Sequence, residues 1–362
     1  MGFTTISLTG YKNYQTKKFL FTERIIGICG LNGKGKTNLL DALNYLCFTK
    51  SYFSKSDSLN VHFGDEGFRL EGELATENGK DPDKIVCVYR PSAKKEFYLN
   101  DVIYDRFSHH IGKFPCVVIA PDDIEMITGG SEERRKFLDT LISQVDAEYL
   151  QQLIIYNKVL AQRNGFLKNE AGKPLFDKSL LEVFDQQLIP PANYIHKVRQ
   201  QFSKQLFPIV QQFYKTISGN NETISLEYDS QLNGNGFSHL LSSSLQKDRL
   251  LQRTNVGIHK DDLIFLLNDN IFKSIASQGQ RKSLLFACKL AEFEILKKVK
   301  GAAPILLLDD VFEKLDENRM RNLLEYVCQK NKGQVFITDT HYERLQNSLS
   351  QFGNAVQIIE LE

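Results

Sequence analysis

The chain has 362 residues, 42% hydrophobic and 25% charged, the make-up of an ordinary globular protein with room for more than one lobe. Its net charge is +1. That excludes a global field drawing it to nucleic acid or a membrane surface, so any such contact must be a local patch.

Residues 3–8 and 17–28 read as strands: Phe19, Leu20 and Phe21, then Ile25, Ile26 and Ile28, are short apolar runs between turn residues. The second run feeds Gly30-Leu31-Asn32-Gly33-Lys34-Gly35-Lys36-Thr37, after which Leu39, Leu40, Leu43 and Leu46 recur at helical spacing. This is the phosphate loop G-x-x-x-x-G-K-[ST] in its required setting of strand, loop and helix. Glycines let the backbone curl its N–H groups toward phosphate oxygens, and the helix start adds positive dipole. Lys36 supplies charge for the β- and γ-phosphates, and Thr37 a hydroxyl for Mg²⁺. ATP with Mg²⁺ is the expected ligand.

From about 50 to 120 short strand-like pieces (Val61–Phe63, Phe68–Leu74, Ile85–Tyr89) alternate with turns, and Cys116–Ala120 is a further buried-strand candidate. From Ser131 to about Phe166 the spacing turns helical, opened by a cap-like serine and acids. A second helical run covers about 178–217, where Pro190-Pro191 and Pro208 are expected to kink or break it. Between the two, Asn164–Lys178 holds Gly165, Gly172 and Pro174 and reads as a linker. Mixed structure resumes near 222, with a loop at Asn233–Gly236 and a strand at Asp261–Leu267.

Ser277-Gln278-Gly279-Gln280 precedes a strong helix running to about Lys298. A serine at a helix start beside a glycine suits an anion. The chain's own phosphate loop already holds one nucleotide, so this second anion site would serve a partner's; the other reading is a plain helix cap. Ile305–Leu308 is four apolar residues ending in Asp309-Asp310, the form of a buried parallel strand whose carboxyl end faces a ligand. Asp309 is placed to hold Mg²⁺ with Thr37. Asp310 either orients and deprotonates an attacking water, as the catalytic residue, or is a structural hydrogen-bonder. Leu315-Asp316 would line a shared interface.

Six cysteines stand scattered, with no C-x-x-C pair, as expected for a reducing compartment. The amino terminus lacks a signal peptide's apolar core, and no apolar run reaches membrane-spanning length. A cytoplasmic protein without a membrane partner is expected.

The order of phosphate loop, helical insertion, S-Q-G-Q, L-L-L-D-D and L-D resembles the ATP-binding-cassette superfamily. Within it the chain is similar to the RecF family of the SMC-like branch. The resemblance is carried by residues 30–43, by Ala120-Pro121-Asp122-Asp123, by Gly129–Asp139 and by Gln162-Arg163-Asn164. It is carried too by Gly257-Ile258-His259-Lys260-Asp261-Asp262 and by 277–282, so that it spans nearly the whole chain. It implies an α/β fold: an ATP-binding-cassette-type P-loop ATPase head with an inserted, mainly helical arm lobe. The head would cover 1–125, the lobe 126–220, and the head resume over 221–362. It also implies an ATP-dependent homodimer that clamps single- and double-stranded DNA without sequence specificity. The protein would hydrolyse ATP slowly and assist recombinational repair and replication with RecO- and RecR-like partners. Ser277, Gln278, Gly279 and Gln280 would then reach the γ-phosphate held by the partner's phosphate loop.

The chain departs from that pattern in places. Ile258 replaces a proline, and Asp310 replaces the glutamate of transporter cassettes. The switch-histidine position falls near Thr340 with His341 beside it, and the glutamine-loop position falls near Asp122 and Asp123. Candidate phosphate contacts for DNA are Lys50 and Lys55, Arg134-Arg135-Lys136, and Lys197, Arg199 and Lys204. Two rival functions share the ATP chemistry. The ATPase subunit of a membrane transporter leaves the arm lobe unexplained, and a small-molecule kinase leaves the S-Q-G-Q loop unexplained.

Overall fold

The computed structural model describes residues 1–75, 81–171, 173, 176–219, 222–313 and 317–362. Leu315 and Asp316 therefore lie outside the described residues. The chain forms two compact units. The head unit comprises Met1–Asp123, Phe213–Gly219 and Gln278–Glu362; the lobe unit comprises Ile124–Gln212 and Asn220–Ser277.

The head holds two sheets. One is antiparallel: β1 (Gly2–Tyr11), β2 (Tyr14–Leu20), β4 (Phe68–Ala75), β5 (Asp83–Tyr89), β6 (Glu96–Leu99) and β7 (Val102–Ile103), in the order β2-β1-β4-β5-β6-β7. The other is parallel: β3 (Ile25–Cys29), β8 (Cys116–Ile119), β12 (Ile305–Leu308), β13 (Val335–Asp339) and β14 (Val356–Glu360), in the order β14-β3-β13-β12-β8. β3, β8, β12 and β13 are buried along their whole length, which is why they read as unbroken apolar runs rather than alternating ones. Helix α1 (Lys36–Phe48) fills the space between the sheets. Its Leu39, Leu43 and Leu46 share one core with Ile6, Leu8 and Leu70 of the antiparallel sheet and Ile26, Ile28 and Leu307 of the parallel one.

α1 is fixed by a buried carboxylate. Asp41 accepts hydrogen bonds from Tyr11 Oη, Ser51 Oγ and the Tyr52 N–H, each at 2.7 Å, and pairs with Lys12 at 2.6 Å. The supposed strand at Val61–Phe63 is instead a short 3-10 turn (Asp57–Asn60) followed by a single bridge from Val61 to Tyr11.

The lobe unit carries α2 (Glu125–Thr128), α3 (Ser131–Val145), α4 (Ala147–Asn169), most of α5 (Lys178–Ser218), α6 (Phe237–Leu251) and α7 (Phe272–Ile275). It adds a small antiparallel sheet of β9 (Ile224–Asp229), β10 (Asp262–Leu267) and β11 (Asn270–Ile271). The helical stretch after Ser131 divides at Asp146, whose carboxylate accepts the Tyr149 N–H at 2.9 Å and caps α4. α5 runs through Pro190, Pro191 and Pro208 without ending. Each proline forfeits one N–H, while Leu188, Ala192, Ile195, Leu206 and Val210 are fully buried on either side; that burial outweighs the lost ladder bonds.

Residues 222–277, placed with the head by their order in the chain, pack with the lobe helices instead. Buried ion pairs hold them there: Arg134 with Asp262, Arg163 with Asp248 and Arg199 with Asp261. The head is completed by α8 (Gln278–Lys300), α9 (Glu317–Leu324) and α10 (Tyr342–Leu349).

Candidate functional site: the phosphate loop and its acids

The strand order builds the site. β13 lies between β3 and β12. The loop after β3, the end of β13 and the acids after β12 are therefore neighbours at the carboxyl edge of one parallel sheet. Thr37, on the first turn of α1, donates its hydroxyl to Asp309 at 3.1 Å (Oδ1) and 2.9 Å (Oδ2). Thr338, near the end of β13, donates to Asp309 Oδ1 at 2.9 Å and accepts the Asp310 N–H at 2.8 Å. The result is a continuous row of polar groups: Thr37, Asp309, Thr338, Asp310.

Asp309 is 4% exposed. Burial pushes its carboxyl up to about 6, against the pull of the Thr338 and Thr37 hydroxyls, and Asp310 adds to the rise. Its hydrogen-bond partners are hydroxyls, and the nearby Lys36 charge lowers the value too weakly to offset burial. A hard cation with oxygen ligands fits that donor set, and Mg²⁺ would be held by Thr37 and Asp309. Asp310 takes φ +44°, a left-handed backbone that aspartate tolerates better than most residues and that recurs where a side chain must be aimed.

The loop is shaped for an anion. Gly35, at φ +101°, has Asn13 Nδ2 and Tyr14 Oη 2.7 Å from where a Cβ would stand, so a side chain there would collide with the β1–β2 turn. Tyr14 Oη also donates to the Gly35 carbonyl at 3.1 Å, and Asn38 Nδ2 donates to Asn13 Oδ1 at 2.7 Å. Lys36 Nζ curls over the loop, donating to the carbonyls of Gly30 (2.8 Å) and Leu31 (3.3 Å). Leu31, Asn32, Gly33 and Lys34 form its exposed rim. A cavity of about 370 Å³ opens beside the rim, lined by Leu31, Lys34, Thr340 and Tyr342 but also by Glu360 and Glu362. Those acids disfavour phosphate there.

Ser277 and Gln278 are exposed at the start of α8. Gly279 lies against the Arg319 guanidinium, which leaves no room for a Cβ as the arginine stands. The four signature positions 277–280 thus occupy one helix start. His341 caps α10, its N–H donating to Asp339 Oδ1 at 3.1 Å, and its side chain is exposed.

Asp122 is exposed, while Asp123 is engaged internally. It accepts from Tyr52 Oη and, at 2.8 Å, from the Ala120 N–H, and faces Lys289 at 3.7 Å. Lys289 also approaches Glu292 at 3.8 Å, and burial pushes that carboxyl up to about 7. Sequence reading missed Thr338, Tyr14 and this Tyr52–Asp123–Lys289 cluster. Thr338 stands 29 residues beyond Asp309, so no local pattern pointed to it.

Two of the candidate DNA cations are not available. Arg134 is bidentate to Asp262 at 2.6 and 2.9 Å. Arg199, 1% exposed, pairs with Asp261 at 2.7 Å and Asp139 at 2.8 Å. Lys50, Lys55, Lys136, Lys197 and Lys204 are exposed.

A family model described as "AAA domain" matches residues 5–354. The DNA replication and repair protein RecF of Flavobacterium johnsoniae is 42% identical over 361 residues, all of both chains. The chain belongs to the RecF family. The RecF of Bacteroides thetaiotaomicron is 40% identical over 99% of this chain and 96% of its own. A solved structure of the recombination mediator protein RecF-ATPrS in the RecFOR pathway superposes with TM-score 0.87 at 30% identity, covering 99% of this chain and 96% of the other. An Smc head domain from Pyrococcus furiosus superposes at 0.57 with 15% identity, a likeness of fold. The α/β head of the SMC-like ATPase type, expected from the motifs, is thereby established. Among the described residues no helix is long and apolar enough to cross a membrane.

Proposed function

We propose that this chain is an ATP-regulated DNA-binding protein of recombinational repair and replication. In this reading it clamps single- and double-stranded DNA as an ATP-induced homodimer, hydrolyses ATP slowly, and works with RecO- and RecR-like partners in the cytoplasm. The observation that carries the ATP part is the row Thr37–Asp309–Thr338–Asp310 beside a glycine loop with Lys36 over it. Family membership carries the DNA part: RecF relatives are DNA replication and repair proteins, and RecF-ATPrS is described within the RecFOR pathway.

Each residue has a role in this reading. The backbone of Gly30–Thr37 wraps the phosphates, and Lys36 exchanges its carbonyl partners for phosphate oxygens. Mg²⁺, held by Thr37 and Asp309, would neutralise charge developing between the β- and γ-phosphates. Thr338 fixes the Asp309 carboxylate and the Asp310 backbone in one register. Asp310 is the catalytic residue, orienting the attacking water and accepting its proton. Ser277, Gln278, Gly279 and Gln280 contact the γ-phosphate bound to the other protomer, which makes ATP the glue of the dimer.

Nucleotide titration tests the site. Lys36→Ala is expected to lose stable ATP binding, and Asp310→Asn to keep binding while turnover slows by about 10²-fold or more. Normal affinity in the first variant overturns the phosphate-loop assignment, and an unchanged rate in the second removes Asp310 from the chemistry.

A further inference from the structure

The lobe spends its acids internally. Asp139, Asp248, Asp261 and Asp262 are each taken up by a buried arginine. Cations on the same elements are left without such partners. Lys247, Arg253 and Lys260 are exposed and, among the described residues, form no ion pair.

Hydrogen bonds bring these three together from separate stretches of chain. His259 Nε2 lies 3.1 Å from the Thr254 carbonyl, which sets Lys260 beside Arg253. The Arg253 N–H donates to the Asp248 carbonyl at 3.1 Å, and Asn255 Nδ2 donates to the Asp248 side chain at 3.0 Å, which ties that loop to the end of α6 next to Lys247. A fourth cation, Arg135, donates from Nη1 to the Asp261 carbonyl at 2.7 Å, directly after Lys260.

The electrostatics agrees with the geometry. Partial burial, then repulsion by Arg253 and Arg135 and more weakly by Lys247, holds the Lys260 ammonium below its ordinary value. Asp248 acts the other way, but its carboxylate is already shared with Arg163, Asn255 and Ser244. Mutually repelling cations on a rigid, internally neutralised support gain stability from a polyanion laid across them.

We propose that Lys247, Arg253 and Lys260, with Arg135 behind them, form a binding site for the phosphodiester backbone of DNA. The site rests on the reading of the chain as a DNA-binding ATPase and supplies contact residues for it, in place of the buried Arg134 and Arg199. Contacts of this kind set position and affinity, and carry no base preference.

The test is binding of a labelled duplex and a labelled single strand against salt, with a non-hydrolysable ATP analogue present. Three proteins are compared: wild type, Lys247→Glu/Arg253→Glu/Lys260→Glu, and a charge-matched triple on the last turn of α8, Lys297→Glu/Lys298→Glu/Lys300→Glu. The lobe triple is expected to lose about tenfold or more in affinity, and its salt slope to fall by about 0.9 for each phosphate contact removed. Its ATP binding should match wild type, which shows that it folds. A neutral triple, with glutamine at the same three positions, should shift in the same direction by less. The α8 triple should bind DNA nearly as wild type. Equal loss in both charge-reversal triples, or no loss in the lobe triple, overturns the site while leaving the DNA-binding reading in place. Wild type that binds no DNA overturns that reading and this site with it.

Discussion

The head and the lobe bury charge in opposite ways. In the lobe, fully buried Arg163 and Arg199 face acids from distant stretches of chain: Asp185 and Asp248 for one, Asp139 and Asp261 for the other. In the head, buried Asp309 accepts from the hydroxyls of Thr37 and Thr338, and the nearby Lys36 charge only partly offsets its burial. A paired buried charge is costly to break, because removing either partner strands the other. A buried carboxylate satisfied by hydroxyls alone is costly to hold ionised, and favours whatever cation completes it. The lobe's polar core therefore has the chemistry of a structural element, and the head's that of the site proposed above.

Mutations sharpen this contrast. The largest effect is expected from Arg199→Met, which strands Asp261 and Asp139 in the lobe. We expect a loss of about 3–5 kcal/mol in chemical denaturation, and a loss under about 1 kcal/mol would mean the network is not structural.

The next effect is a pH limb from the same region. His259 accepts Tyr156 Oη at Nδ1 (2.7 Å) and faces the Thr254 carbonyl from Nε2 (3.1 Å), an arrangement of a neutral ring. Burial, with Lys260 and Arg135 nearby, lowers its value from 6.5 to about 4. The unfolded chain then binds the extra proton between those values. Stability is unaffected by this group above pH 6.5 and falls as pH drops toward 4, by about 3 kcal/mol in all. His259→Gln should flatten that limb in melts taken across the range, and an unchanged limb would assign it to other groups.

Smaller changes belong to the head. Asp309→Asn keeps the shape while removing a buried charge whose burial its hydroxyl partners and Lys36 do not offset, so in metal-free buffer it should raise stability by about 1 kcal/mol. The same variant should lose Mg²⁺-dependent turnover. Destabilisation by several kcal/mol would show that Asp309 is structural, like the lobe acids. Lys36→Ala, whose hydrogen bonds end on loop carbonyls, should change stability least of all, by about 1 kcal/mol or less.

What the sequence made legible follows the same division. The phosphate loop was readable because strand, loop and helix are contiguous, and Asp309 because four buried residues precede it. Thr338 was not, since its place beside Asp309 depends on β13 lying between β3 and β12. Arg134 and Arg199 looked like surface cations because the acids that neutralise them lie 128 and 60 residues away. The same long-range pairs place residues 222–277 with the lobe, which chain order could not show. The prolines of α5 misled for a related reason: local propensity cannot weigh a buried stripe assembled from elsewhere.

The most direct test of the account is solution mass by light scattering, with and without a non-hydrolysable ATP analogue, for wild type and Ser277→Arg. We expect the wild-type mass to double with nucleotide, and the variant to bind nucleotide yet stay monomeric, because in the proposed dimer an arginine at Ser277 would fill the place of the other protomer's γ-phosphate. A wild type that stays monomeric even with DNA present, or a variant that dimerises normally, would contradict it.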